Sequence, residues 1–414
     1  MKQGKYLILI RSTLLPVLIL CIFLQASVLA NGSGQVTPDS LRSLIARGGY
    51  AVQNNGRMIA SQNQHEMFIP ASTIKIATAL TAIHVLGPDY RFETQFFRDA
   101  DKNLYIKGFG DPFLISEEVA AIVRKLKDLG CREINDIYLD DTAFAVGAIA
   151  DGAGGSDNPY DARNSALGVN FNTVNIEKDQ DGNVQSAEEQ TPSLDLMKEL
   201  AADLDPGVHR INITQESSNG DAIIRRYTGE LFRALQRREN IGGNGRIAFR
   251  KVPTNLVPFY IHQSSRTLQE IIEPLLLYSN NFIANQIFLA MGAVKYGYPA
   301  TWEKSIRTET GYLQDQLDLS QNDIRIAEGS GLSRKNRVTP DAMIRLLDSF
   351  KPYSRLLPRK DDVLVKSGTL QDVYAYAGYF IGKGRLDSFV LLLNQEKNNR
   401  DEILRLLEQV YRTR

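Results

Sequence analysis

The chain of 414 residues contains only two cysteines, and one of them, Cys21, lies within the first thirty residues. That segment has the features of a secretory signal: a basic start, an apolar run over residues 13–24 and small residues up to Ala30. We expect cleavage after Ala30, so that residues 1–30 are a signal peptide and Cys131 is the only cysteine of the mature chain. An exported chain with one cysteine has no intramolecular disulfide, and we expect Cys131 to be a small buried side chain.

The sequence also lacks an excess of charge of either sign, with 48 Lys and Arg against 48 Asp and Glu. Removal of the signal, which holds three basic residues and no acidic ones, leaves 45 against 48 and a net charge of −3. This balance favours neither nucleic acid nor an anionic membrane as a partner. The apolar run of the signal is short for a bilayer span. We therefore expect an exported, periplasmic protein with at most peripheral membrane contact.

Histidine is scarce, with four residues in the chain, and neither an H-E-x-x-H motif nor a cluster of Cys and His is present. We therefore expect no metal site and no cofactor. A G-x-S-x-G motif is also absent, which disfavours a conventional Ser-His-Asp hydrolase. No internal repeat is evident, and about 384 mature residues exceed the usual size of one domain, so we expect two or more domains.

The two ends of the chain carry the clearest pattern of strands. Asn54-Asn55-Gly56 between two apolar segments predicts a hairpin, because Asn and Gly tolerate positive φ. Near the C-terminus, residues 363–365, 374–381 and 388–393 are three further strand candidates, followed by an amphipathic helix. Together they predict an α/β (α+β) fold, with an antiparallel sheet of about five strands flanked by helices.

The middle of the chain has a different texture. Residues 89–253 contain short strand-like runs and turns, interrupted by two predicted helices at residues 116–129 and 230–238. We interpret this segment as a β-rich inserted module. The remaining mature chain, residues 31–88 plus 254–414, would then form one domain around the insertion.

Ser72 and Lys75 form the only S-x-x-K of the chain and lie at the start of a predicted helix over residues 72–86. Side chains three positions apart are neighbours on a helix, so the Lys75 amine can approach the Ser72 hydroxyl. Burial between two isoleucines would favour the neutral amine that a general base requires. The motif alone has little weight, because about one match is expected by chance in a chain of this length. The alternative is a solvated pair on an amphipathic helix.

A Ser-x-Asn motif would complete such a site, but this pattern occurs five times, beginning at Ser61, Ser156, Ser217, Ser279 and Ser320. The sequence around Ser156 is the literal Ser-Asp-Asn, in a glycine-rich loop of the insertion. Ser279 and Asn281 lie between apolar segments that would hold both side chains rigidly. We favour Ser279 and Asn281, with Ser156 as the alternative. Ser279 could relay a proton to a leaving amine, and Asn281 could donate to a substrate carbonyl and position Lys75.

The segment Lys366-Ser367-Gly368-Thr369 follows a predicted strand. Lys366 and Ser367 can bind a terminal carboxylate, and Gly368 allows a ligand backbone to approach closely. The Thr369 amide can face an oxyanion together with the amide of Ser72. By itself the segment reads as a strand that ends in a turn. In this order, after an S-x-x-K and a Ser-x-Asn, it indicates a penicillin-recognising serine enzyme.

Several longer segments resemble the class C low-molecular-mass penicillin-binding proteins of the penicillin-binding protein 4 type, the D-alanyl-D-alanine carboxypeptidase and endopeptidase family. The resemblance spans about residues 40 to 395 and includes the wide separation of the first two motifs, which this family fills with inserted modules. Its most specific part is the run from Gly329 to Pro340. The matching segments are Pro70-Ala-Ser-Thr-Ile-Lys75, Gly110-Asp111-Pro112, Tyr278-Ser-Asn-Asn281, Gly329-Ser-Gly-Leu-Ser-Arg334 with Thr339-Pro340, and Lys366-Ser-Gly-Thr-Leu370.

The resemblance implies a penicillin-binding/β-lactamase-like transpeptidase fold and a D-Ala-D-Ala carboxypeptidase, an endopeptidase or both, acting on peptidoglycan stem peptides and acylated by β-lactam antibiotics. The roles it implies are Ser72 as the acylated nucleophile, Lys75 as base, Ser279 and Asn281 as the second motif, Lys366, Ser367, Gly368 and Thr369 as the substrate-binding third motif, and Arg334 near the substrate's side-chain carboxylate.

The chain departs from the family pattern at four places. Asn280, Ser367 and Glu328 replace the commoner Asp, Thr and Asp, and the Gly-Trp expected before Tyr160 is missing. The first two departures bear on rate, and the missing pair bears on substrate fit.

Two other functions remain open from the sequence. A serine β-lactamase would use Ser156 as its second motif, although the insertion and the run from Gly329 to Pro340 argue against it. A catalytically silent peptidoglycan-binding protein would bind the wall without ever forming a covalent penicillin adduct.

Overall fold

A computed structural model describes residues 38–147, 149–154, 158–214, 220–382 and 384–414. The predicted signal peptide and Ser156 lie outside these residues. No helix in this part of the chain combines the length and the apolar character that a bilayer span requires.

The helices are α1 (Pro38–Leu44), α2 (Lys75–Leu86), α3 (Ser116–Asp128), α4 (Asp195–Leu200), α5 (Gly220–Arg238), α6 (Leu268–Tyr278), α7 (Asn281–Tyr296), α8 (Trp302–Leu317), α9 (Pro340–Phe350) and α10 (Arg400–Arg412). The strands are β1 (Gly48–Asn54), β2 (Arg57–Gln62), β3 (Glu93–Arg98), β4 (Leu104–Gly108), β5 (Ile137–Asp140), β6 (Thr173–Lys178), β7 (Val184–Ser186), β8 (Gly207–Asn212), β9 (Ile247–Phe249), β10 (Tyr260–Gln263), β11 (Ile324–Arg325), β12 (Arg337–Val338), β13 (Arg359–Lys360), β14 (Val363–Leu370), β15 (Val373–Ile381) and β16 (Leu386–Leu393).

The central sheet joins both ends of the chain in the order β13-β14-β15-β16-β1-β2, and every neighbouring pair is antiparallel. The predicted hairpin connects β1 and β2 through Asn55 and Gly56, which have φ values of 54° and 72°. The antiparallel sheet with flanking helices is therefore confirmed. It has one strand more than expected, because the two-residue strand β13 extends its edge.

Helices cover both faces of this sheet. Val390 and Leu392 of β16 pack with α2, α6, α7 and α9 on one face, whereas Phe389 and Leu391 pack with α1 and α10 on the other. Because neither face meets water, β16 is a nearly continuous apolar run rather than an alternating one. The same two-sided cover fixes the position of β14, which carries the Lys366 segment.

Between α2 and α6 the chain forms a second sheet with the order β10-β3-β4-β5-β9 and a small sheet with the order β7-β6-β8. The larger sheet is mixed, since β5 is parallel to both β4 and β9. It reaches Gln263, past residue 253, and its core includes side chains of α3 and α5. Helix α5 begins ten residues before the predicted start at 230. It continues through Gly229, where β9 packs so closely that Ile247 would collide with a side chain.

The chain segment between α2 and α6 is hydrogen-bonded to α7. Asn164 donates through Nδ2 to the carbonyl oxygen of Phe282 at 3.0 Å and to Oε1 of Gln286 at 3.0 Å. Gln286 in turn donates to the carbonyl oxygen of Ser165 at 2.9 Å. All three polar side chains are buried, so these bonds hold the segment against the helix that begins with Asn281.

Candidate active site

Ser72 lies in the 3₁₀ turn Ala71–Ile74 that leads into α2, and its side chain is half-buried. Ala71 is buried and has φ of 46°, a left-handed conformation that is uncommon for alanine. Two glycines enclose it. A Cβ at Gly368 would lie 2.7 Å from the carbonyl oxygen of Pro70 and 3.0 Å from the Ser72 nitrogen, and one at Gly331 would overlap the Ala71 carbonyl. The backbone at Ser72 is therefore held in place by close packing against the backbone at Gly331 and at Gly368.

Lys75 connects Ser72 to two other segments of the chain. Its Nζ donates to Ser72 Oγ at 2.9 Å, to Asn281 Oδ1 at 2.7 Å and to the carbonyl oxygen of Ser330 at 2.5 Å. The side chain is fully buried. Burial lowers the pKa of Lys75 well below its usual value, and the nearby Lys366 lowers it further, although Glu328 acts in the opposite direction. This environment favours the neutral amine, which can accept a proton from Ser72.

The second motif lies between two helices. Ser279 ends α6 in a left-handed conformation with φ of 58°, and Asn281 is the first residue of α7. Between them, Asn280 caps α7, since its side chain accepts from the backbone nitrogen of Ile283 at 3.0 Å. Asn and Asp are about equally good helix N-caps, which gives a physical reason why Asn280 fits where the family more often has Asp.

Lys366 lies on β14 and points toward the second motif. Its Nζ donates to Ser279 Oγ at 2.9 Å and to the carbonyl oxygen of Ser367 at 2.9 Å. Burial, assisted by the charge of Arg400, lowers the pKa of Lys366 to about 8. Strand alternation leaves Ser367 and Thr369 exposed, whereas Lys366 and Gly368 are buried.

A buried carboxylate organises the loop that supplies the Ser330 carbonyl. Glu328 is fully buried. Its two oxygens accept six hydrogen bonds, from Ser330 N, Ser330 Oγ and Asn285 Nδ2 on one oxygen and from Gly331 N, Ser333 N and Asn336 Nδ2 on the other. Glu328, one of the departures from the family pattern, is therefore the residue around which this loop is hydrogen-bonded. Sequence reasoning assigned it no role, although it stands at the head of the most specific segment.

The structure thus brings five residues together in one cluster: Lys75 is hydrogen-bonded to Ser72 and Asn281, Lys366 is hydrogen-bonded to Ser279, and the two groups are joined through the backbone from Ser279 to Asn281. Ser367, Gly368 and Thr369 follow Lys366 on β14. Arg334 is exposed and donates to the carbonyl oxygen of Gln371 at 2.8 Å, just beyond β14. Asn281 also donates through Nδ2 to the carbonyl oxygen of Tyr160 at 3.4 Å. The segment between α2 and α6 therefore reaches the cluster at Tyr160, before which the family's Gly-Trp is missing.

Sequence reasoning missed three contributors to this cluster. The Ser330 carbonyl and the left-handed Ala71 lie within matched segments, but only their backbones matter, which side-chain motifs do not reveal. Arg400, which contacts Gly368 and Thr369, lies far along the chain, just before the amphipathic helix predicted for residues 401–411, and belongs to no motif. Among the described residues, no group of three or more His, Cys, Asp or Glu is arranged to hold a metal ion.

The sequence pattern of the D-Ala-D-Ala carboxypeptidase 3 (S13) family matches residues 41–201 and 214–359 of this chain. The match includes the first two motifs and the Glu328 loop and ends before Lys366. A D-alanyl-D-alanine carboxypeptidase from an Actinomadura species is 27% identical over 403 residues, covering 79% of this chain and 73% of the relative. D-alanyl-D-alanine carboxypeptidase DacB of Haemophilus influenzae is 25% identical over 405 residues, covering 82% and 83%.

The fold also matches solved structures. The crystal structure of penicillin binding protein 4 from Haemophilus influenzae aligns with a TM-score of 0.71 at 21% identity, over 92% of this chain and 98% of that one. A complex of that protein with a β-lactam aligns with a TM-score of 0.66. The likeness establishes the penicillin-binding-protein fold that the motifs implied.

Proposed function

The chain belongs to the D-Ala-D-Ala carboxypeptidase 3 (S13) family, as its motifs indicated, and on this premise we propose that it hydrolyses D-alanyl peptide bonds of peptidoglycan stem peptides through an acyl-enzyme on Ser72. The observation that carries the proposal is the pair of linked contacts from Lys75 to Ser72 and Asn281 and from Lys366 to Ser279. Residues of different motifs, 206 and 87 positions apart in the chain, meet at hydrogen-bond distance.

In the acylation step, Ser72 Oγ attacks the carbonyl carbon of the scissile amide while the neutral Lys75 amine takes its proton. Negative charge develops on the carbonyl oxygen, where the amides of Ser72 and Thr369 can donate to it. The tetrahedral intermediate then collapses with cleavage of the C–N bond. The proton reaches the leaving amine through the Ser279 hydroxyl, which lies 2.9 Å from Lys366 Nζ.

Water completes the reaction by cleaving the ester between Ser72 and the acyl group, which releases a carboxylic acid and restores the serine. The leaving group is terminal D-alanine in a carboxypeptidase and a cross-linking amine in an endopeptidase, and the same residues serve both. We assign Lys366, Ser367 and Thr369 to the carboxylate beside the leaving amine. Arg334 is assigned to the side chain of the stem peptide.

We propose further that the protein is exported, that residues 89–253 act as an inserted unit, and that β-lactams acylate Ser72. A structure of the Haemophilus influenzae relative contains a β-lactam. Ser72 is only partly buried, as a residue that is acylated must be.

The test is covalent labelling of the mature protein with a labelled penicillin, followed by location of the adduct by peptide mass. We expect one adduct, on Ser72, in the parent and in a Ser43→Ala control, which changes an exposed serine of α1. Ser72→Ala should carry none. A label elsewhere, or one that survives in Ser72→Ala, contradicts the proposal.

The same labelled protein addresses the alternatives. An adduct that decays over many minutes excludes an efficient β-lactamase, and the absence of any adduct would favour a silent wall-binding protein. Digestion of purified muropeptides then separates loss of terminal D-alanine from cleavage of cross-links.

A further inference from the structure

Arg400, the first residue of α10, approaches the third motif from the C-terminal end of the chain. Its Nη1 donates to the carbonyl oxygen of Gly368 at 3.0 Å and to Thr369 Oγ1 at 2.8 Å. Thr369 is one of the exposed positions of β14. Arg400 is therefore in direct contact with a hydroxyl at the edge of the candidate active site.

The guanidinium is held in place without a salt bridge to any described carboxylate. It lies over the ring of Tyr376, 4.8 Å from the ring centre. Its neighbour Asp401 pairs with Lys360 instead, and across the described residues Arg400 forms no ion pair and its buried Nε has no acceptor. Burying a donor without a partner is costly, so an arginine at this place calls for a functional reason.

Arg400 and Lys366 place two positive charges around the segment from Ser367 to Thr369. Burial lowers the pKa of Lys366, and the positive charge of Arg400 lowers it further. Two cations beside the same strand segment attract an anion. Because the Thr369 hydroxyl already accepts a hydrogen bond from Arg400, its own proton is directed to another acceptor.

We propose that Arg400 sets the requirement for a free carboxylate on the residue that leaves the substrate. It does so by orienting the Thr369 hydroxyl toward that carboxylate and by adding positive charge beside it. Arg400 is thus a specificity-determining residue and takes no part in bond cleavage. The inference rests on the proposed function, since it concerns the leaving residue of the same substrate.

The experiment compares two substrates that differ in one group: an acyl-D-Ala-D-Ala peptide with a free C-terminal carboxylate, and the same peptide as the carboxamide. Each is tested with the parent protein, Arg400→Ala, Arg400→Lys and the control Arg405→Ala, which removes an exposed arginine of the same helix. We expect Arg400→Ala to lower kcat/KM for the carboxylate peptide by about 10- to 100-fold. The carboxamide should change by less than about 3-fold, and Arg400→Lys should give an intermediate loss.

A merely structural role would lower kcat/KM equally for both peptides, so an equal fall would overturn the inference, as would no fall with either. If the parent does not cleave the carboxamide, the rates of Ser72 acylation by a penicillin and its methyl ester give the same comparison and are judged in the same way. Failure of the proposed function has a different signature, because Ser72 of the parent would then neither be labelled by penicillin nor support hydrolysis of either peptide.

Discussion

Two buried glutamates lie close together beneath the candidate active site, and we predict that the same substitution destabilises the protein strongly at one of them and only slightly at the other. Glu328 accepts six hydrogen bonds, three on each oxygen. Glu309 of α8 is equally buried, but its described hydrogen-bond partner is the Thr78 hydroxyl, at 3.3 and 3.5 Å. Burial raises the pKa of Glu309 well above its usual value, which favours its neutral form.

The magnitude for Glu328→Gln follows from its donors. The glutamine amide replaces one carboxylate oxygen by an NH₂ group, so three donors lose their acceptor in a buried place. At about 1 kcal/mol for each unsatisfied donor, the low end of the usual range, the substitution should lower the free energy of unfolding by about 3 kcal/mol. Glu309→Gln exchanges one neutral group for another of the same shape and should cost less than about 1 kcal/mol.

Urea unfolding provides the assay, because the chain has a single tryptophan, Trp302, which packs against Phe288 beside the main core. Its fluorescence therefore reports on the domain that holds both glutamates. The rate of Ser72 acylation by penicillin is measured in parallel. It should fall about 10-fold or more in Glu328→Gln, since the altered loop supplies the Ser330 carbonyl to Lys75. Equal unfolding free energies for the two variants would refute this reasoning.

Three further predictions concern pH and close packing. Burial raises the pKa of Asp111 to about 6. Because this pKa is higher in the folded than in the unfolded chain, the free energy of unfolding of the parent falls as pH rises through 6. In urea unfolding, Asp111→Asn should therefore be more stable than the parent by about 3 kcal/mol at pH 8 and by little at pH 4. A difference that is the same at both pH values would contradict this. Lys366, with a pKa of about 8, carries its charge only below that value, so kcat/KM for a carboxylate peptide should fall above pH 8, and a profile that is flat to pH 10 would argue against its role. Gly368→Ala should slow Ser72 acylation by about 100-fold, because the added Cβ would press on Pro70 and the Ser72 nitrogen, whereas an unchanged rate would show that the backbone can yield there.

The parts of the fold that the sequence predicted well are those with local signals. The Asn55-Gly56 turn and the long apolar runs of β15 and β16 follow directly from backbone preferences and burial. Helices α8 and α9 were not predicted. α8 has few apolar side chains, and the start of α9 lies in the Thr339-Pro340 segment, which we considered only as a family motif.

The sequence predicted those parts of the candidate site that consist of side chains in recognisable motifs. Ser72, Ser279 and Lys366 were identified through motifs, but that they meet depends on two helices and a strand packing together, which no local pattern encodes. Five of the six hydrogen bonds to Glu328 come from residues within eight positions of it, but a sequence pattern does not show that these donors turn back onto one buried carboxylate. Arg400 has no motif at all, and its contact with Thr369 follows only from the packing of α10 on the sheet.

The packing around Ala71 has a consequence for how kinetic data on this protein should be interpreted. The strained backbone before Ser72 is confined by Gly331 and Gly368 through steric exclusion, and repulsion between atoms in contact does not vary with proton concentration or ionic strength. The backbone that carries Ser72 should therefore keep its conformation across the range in which the protein stays folded. A change of acylation rate with pH then reports the protonation of Lys75 and Lys366, including the hydrogen bond from Lys75 to the Ser72 hydroxyl. A change with salt reports attraction of the charged substrate, and movement of the Ser72 backbone contributes to neither.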